Sequence, residues 1–83
     1  MTEADTFEPT SFRVYSAESI SQAIRHYRKK AGLTQAELSK RVGIAQSYLS
    51  ELESGKHDTE HLRRILVILH ALGARVIIQE ADW

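Results

Sequence analysis

The stretch Gly32-Leu33-Thr34-Gln35-Ala36-Glu37-Leu38-Ser39-Lys40-Arg41-Val42-Gly43-Ile44-Ala45-Gln46-Ser47-Tyr48-Leu49-Ser50-Glu51-Leu52-Glu53-Ser54-Gly55-Lys56 decides how this chain folds. Thr34 and Glu37 stand at capping-box spacing, in which the hydroxyl takes the forward amide and the carboxylate reaches back. The short helix they open carries Leu38 and Val42 on its apolar side. It stops at Gly43, which can take the positive φ of a tight turn between crossed helices. Residues 45–53 form the next helix, with Leu49 and Leu52 inward, and Ser54-Gly55 closes it. Its start is weak, because Ala45 has no side-chain acceptor. A capped short helix, a turn of about three residues and a second short helix make the helix-turn-helix pattern.

Working outward, Ser16 is a good N-cap for a helix whose apolar stripe is Ile20, Ala23, Ile24, Tyr27 and Ala31, ending at Gly32. Arg25, Arg28, Lys29 and Lys30 crowd its last turns, where the helix dipole favours cations. On the other side, Asp58 or Thr59 caps a fourth helix with Leu62, Ile65, Leu66, Leu69 and Leu72 on one face, ending at Gly73. Val67 and Ile68 widen that stripe and leave apolar surface to spare. Arg75-Val76-Ile77-Ile78-Gln79 reads as a strand. One strand cannot satisfy its own backbone, so it pairs either with Ser11–Tyr15, whose alternation allows a short strand or an arm, or with another chain. Residues 1–10 lack periodicity.

The whole chain has 83 residues, enough for one small domain and too few for a deep cleft beside a core. It contains no cysteine, so disulfides and thiolate metal sites are excluded, and a reducing cytosol is the expected compartment. No apolar run approaches the roughly 20 residues of a membrane span, and the acidic start is unlike a signal peptide. Net charge is zero, but seven of the eleven basic residues and only three acidic ones fall within residues 19–56. A basic block between acidic ends is the electrostatic footprint of polyanion binding.

If Leu49 and Leu52 face inward, then Gln46, Ser47, Tyr48 and Ser50 project from the other side of that helix. Gln pairs with adenine through two hydrogen bonds, and Ser can bond to either edge of the major groove. For Tyr48 the alternative is a ring laid on the first helix. Thr34 and Gln35 sit at a helix N-terminus suited to a phosphate, and Lys40, Arg41 and Lys56 add cations nearby. His57 and His61 straddle a helix start with no third ligand evident, so no metal is expected. No spacing joins a nucleophile, a base and an orienting group, so neither catalysis nor a cofactor is expected.

Taken together, Gly32–Ser39, Val42-Gly43-Ile44 and Ser47–Lys56 resemble the Xre/lambda-repressor-like helix-turn-helix domain, over residues 17–72. The resemblance implies a mainly α fold, a small helical bundle whose third helix binds DNA. It assigns phosphate binding to Gln35 and base reading to Gln46. It also implies a buried structural ion pair between Arg28 and Glu53. Phe12–Ser16 leading into the first helix, the leucine-rich fourth helix, the single strand and the acidic-Trp ending are similar to HipB-type antitoxins. That narrower resemblance implies a homodimer paired through the C-terminal strand (Val76, Ile77, Ile78), repression of the chain's own operon at double-stranded operator DNA, and a HipA-type Ser/Thr kinase toxin as partner. Trp83 is either a frayed end or, since Trp is enriched at interface hot spots, an anchor on the partner or the dimer mate. Two departures accompany it: the chain stops at Trp83, where some members carry a long tail, and Ala45 replaces a capping or basic residue. The expected division is an arm over 1–15, a DNA-binding domain over 16–73 and a dimerisation strand with tail over 74–83. A stand-alone repressor without a toxin is the alternative, and a protein-binding module with weak DNA binding is a second.

Overall fold

A computed structural model describes residues 11–56 and 61–80. The calls on residues 1–10, His57, Asp58, Thr59 and Trp83 lie outside the described residues. Four helices follow one another: α1 (Ala17–Lys30), α2 (Gln35–Val42), α3 (Gln46–Glu53) and α4 (Leu62–Ala71).

Local chemistry sets the ends of the first three. At α1 the Ser16 Oγ accepts from the Ser19 amide at 3.3 Å, while Ser19 Oγ accepts from the Ser16 amide at 2.8 Å. This is a reciprocal cap built from two serines. The Leu33 amide then returns to the Arg28 carbonyl at 3.1 Å and closes the helix. At α2 the Thr34 Oγ1 accepts from the Glu37 amide at 3.0 Å and Glu37 Oε1 accepts from the Thr34 amide at 2.8 Å. The Glu37 carboxyl is held below its ordinary range, first by the Thr34 backbone amide, then by the Thr34 hydroxyl, with Arg41 adding its charge. The cap's contribution is therefore present above the ordinary glutamate range and fades as pH falls through the lowered value. Gly43 ends α2 at φ 71°, which a β-carbon would strain. Ala45 makes no side-chain cap to α3.

The core gathers one face of each helix: Ile24 of α1, Leu38 of α2, Leu49 and Leu52 of α3, and Ile65 and Ile68 of α4 are fully or almost fully buried. Truncating any of these leucines or isoleucines to alanine costs about 2–5 kcal/mol by lost burial and the cavity left behind.

The fourth helix departs from the expected face. It buries Ile65, Ile68 and Leu69 and half-buries Leu72, while Leu62, Leu66 and Val67 are exposed. With apolar residues around most of its circumference, its pattern does not choose a sector; packing against the other helices does. It begins at Leu62, with His61 at the N-cap position and no side-chain cap. The expected strand over Val76, Ile77 and Ile78 is not formed within the single chain, and residues 11–15 form none either. No ladder partner exists for them among the described residues, and Ile77 and Ile78 stand 73% and 97% exposed.

The bundle is tied together by charge as well as by apolar packing. Arg28 of α1 is 9% exposed and Glu53 of α3 8%. Arg28 Nε donates to Glu53 Oε2 at 2.7 Å and Nη2 to Oε1 at 2.9 Å, while Nη1 donates to the Leu33 carbonyl at 2.7 Å. The guanidinium is held above its ordinary value, first by hydrogen bonding to Glu53, with burial opposing and the carboxylate's charge adding. Glu53→Ala strands a buried cation and is expected to lower unfolding free energy by roughly 3–5 kcal/mol. The double replacement Arg28→Met with Glu53→Leu is expected to recover most of that loss. Urea titration at one fixed protein concentration checks both, and a single mutant within about 0.5 kcal/mol of wild type contradicts the assignment.

Candidate nucleic-acid interface

An eight-residue helix is too short to hold its own orientation, so α3 is aimed by what it buries. Tyr48, Leu49, Leu52 and Glu53 form its inner face. At 100° per residue that leaves Gln46, Ser47, Ser50 and Glu51 outside, and all four are exposed. The polar edge expected to meet a duplex is thus open along the helix.

Tyr48 is the correction. It is 8% exposed and belongs to the core, not to the open edge. Its position, one residue before Leu49 and four before Leu52, puts it in the apolar sector. Its ring lies 6.2 Å from that of His61 and beneath the guanidinium of Arg64. Its ring packs at the junction between α3 and the start of α4.

The N-terminus of α2 comes next to this edge. Thr34 is exposed, and its hydroxyl accepts from the Glu37 amide. Gln35 is half-buried and its Nε2 donates to Glu53 Oε1 at 3.1 Å, which leaves one N–H and the Oε1 lone pairs for another partner. Gln35, Ser50 and Ser54 share a depression of about 230 Å³ with Arg25 at its margin and the Arg28–Glu53 pair as its floor. Sequence reading had Gln35 and Ser50 as separate candidates and missed Arg25. The available signal was that Arg25 precedes Arg28 by three on the same helix, hence on the same face. Lys40 and Arg41 are exposed in the last turn of α2, about 10 Å along the axis from Gln35. Lys56 is exposed just beyond α3. Among the described residues no group of three or more metal-ligating side chains comes together, and no helix is long and apolar enough to cross a membrane.

The arrangement can therefore insert a polar helix edge into a groove and grip phosphates from the start of the preceding helix. Comparison with known proteins shows the family. Residues 24–73 match the family described as Helix-turn-helix. The antitoxin HipB of Escherichia coli O6:H1 is 31% identical over 77 residues, covering 92% of this chain and 81% of that protein. The structure of a HipB variant in an O2 20mer complex superposes with a TM-score of 0.76 at 30% identity, covering 88% of this chain and 100% of that one. A chain of a HipA-HipB-O2-O3 complex gives a TM-score of 0.73 at 28% identity, covering 84% of this chain and 97% of that one. These likenesses and the open edge of α3 together establish that the chain belongs to the Xre-like helix-turn-helix family of DNA-binding transcription regulators, alongside the HipB antitoxins.

Proposed function

We propose that this protein is the antitoxin of a toxin–antitoxin operon, a homodimer that represses its own promoter and binds a HipA-type Ser/Thr kinase toxin. The single observation that carries the DNA half is the exposure of Gln46, Ser47 and Ser50 over a helix whose opposite face is fully buried. In this reading Gln46 selects a base pair, with Ser47 and Ser50 beside it. Thr34, Gln35, Lys40, Arg41 and Lys56 bind phosphates and set the register. Residues 16–73 are the DNA-binding unit and 74–83 the dimerisation segment.

The dimer reading is supported by apolar surface that one chain leaves open. Leu62, Leu66 and Val67 of α4 are exposed, as are Val76, Ile77 and Ile78 after it. Two copies related by a two-fold axis would pair the segment with itself and satisfy its backbone. The two third helices then enter successive major grooves about 34 Å apart, so the operator is a palindrome. The toxin reading is supported by the likeness to the antitoxin HipB and to a chain of the HipA-HipB-O2-O3 complex.

Four outcomes are expected. In gel-shift titrations against single-base variants of the chain's own promoter, Gln46→Ala loses about 1–3 kcal/mol of discrimination at one base pair per half-site. Lys56→Gln instead weakens all duplexes alike and makes the salt dependence shallower by about 0.9 per contact; full discrimination retained by Gln46→Ala removes that residue from the base-reading set. Ile77→Asp is expected to sediment as a monomer and to lose operator affinity while keeping its helix content; an intact dimer refutes pairing through this segment. Co-expression with the neighbouring reading frame is expected to yield a stable complex with a kinase-like protein. A chain that purifies alone beside such a kinase fits a stand-alone repressor instead.

A further inference from the structure

We propose that Arg64 is an additional phosphate-binding residue of the duplex interface and that Tyr48 is the residue that positions it. This rests on the DNA-binding reading above.

Tyr48 follows Gln46 by two residues, so its backbone belongs to the groove-entering helix while its ring turns under that helix toward α4. The Arg64 guanidinium carbon lies 5.1 Å from the centre of that ring, within the reach of a cation–π contact, and Arg64 itself is exposed. A guanidinium lying over a ring spends its face on the contact and keeps N–H donors at its edge, the part that grips a phosphate. The ring thus fixes a long, otherwise mobile side chain beside α3 without consuming its donors.

Local electrostatics gives a second, separate reason. Arg63 and Arg64 occupy the first turn of α4, and that turn contains no acidic residue. Cations there work against the positive end of the helix dipole, and carboxylates are what that position favours. Residues that break a local rule are expected at functional sites. A phosphate of the duplex, the polyanion of the reading above, is an outside anion that suits cations at this position. The ligand is held by the guanidinium, not by the free amides of the turn. Thr34 and Gln35 act from the start of α2, before α3, and Arg64 acts from α4, after it, so α3 is gripped through both of its neighbours.

The test measures binding of the intact dimer to a fluorescently labelled duplex of mixed sequence over a series of salt concentrations. Arg64→Gln is expected to make the plot of log affinity against log salt shallower by about 0.9 per protomer. Tyr48→Phe, which keeps the ring face, is expected to match wild type in slope and affinity. Tyr48→Leu, with Arg64 still charged, is expected to bind about two- to fivefold more weakly at low salt. Circular dichroism shows whether each variant keeps its helices; should Tyr48→Leu fail to fold, Arg64→Gln and Tyr48→Phe still decide. A wild-type slope in Arg64→Gln overturns the proposal alone, as does Tyr48→Phe binding as weakly as Tyr48→Leu. Salt-independent binding by the unaltered protein would instead overturn the DNA reading itself.

Discussion

The bidentate contact between Arg28 and Glu53 is the constraint on which the rest of the structure depends. It joins α1 to the C-terminal end of α3, and the third arm of the guanidinium holds the Leu33 carbonyl that leads into α2. Burying two charges is expensive, and the Coulomb attraction between them repays it only where the remaining donors and lone pairs are satisfied. Here the satisfaction extends outward: Glu53 Oε1 also accepts from Gln35, the first residue of α2. One carboxylate therefore ties together the helix before the turn, the helix after it and the helix beneath both. An apolar pair of similar volume could match its contribution to stability. It could not orient the Gln35 carboxamide, and that orientation joins the ion pair to the surface proposed to face the duplex.

Function on this scaffold is a question of which sector of α3 is covered. The helix has two turns, no side-chain cap and no basic residue in its last turn, so little in its own sequence stabilises it. Its register comes from Leu49 and Leu52 in the core, Tyr48 at one end against α4 and Glu53 at the other against α1. A helix aimed by anchors at both ends can place Gln46 and Ser50 reproducibly with no dedicated scaffold. The two halves of the molecule are coupled for the same reason: a change in the core is felt at the open edge.

The parts readable from sequence were those governed by short-range chemistry. Ser16, the Thr34–Glu37 box, Gly43 and the unsupported start at Ala45 all act within four residues, and each sits in the structure as its chemistry requires. The inward leucines were equally clear, because two residues three apart define a side. What escaped was the width of each buried sector. Tyr48 is amphipathic and borders the stripe, so composition alone leaves it on either side. The fourth helix is apolar over most of its surface, so its stripe had no unique centre; Ile68 took a core position and Leu66 did not. The hydrogen bond from Gln35 to Glu53 spans 18 residues of sequence and has no local signature. Residues 74–80 form no strand for a different reason: a ladder needs a second strand, and the described residues supply none.

Zero net charge and polyanion binding are compatible here because the charges are not equally available. Within residues 19–56 Glu53 is buried against Arg28, and Glu37 is turned back onto the Thr34 backbone amide, where its Oε1 is engaged. Arg25, Lys29, Lys30, Lys40, Arg41 and Lys56 remain exposed in the same block. Salt screens exposed charges beyond about 8–10 Å, so an incoming phosphate responds to the cations nearest it and hardly at all to acidic residues on a remote surface. The whole-chain balance governs solubility and self-association, while the local excess governs what the helix-turn-helix attracts. A small regulator gains from that separation, because a protein with no large overall charge can still carry a basic face to a polyanion.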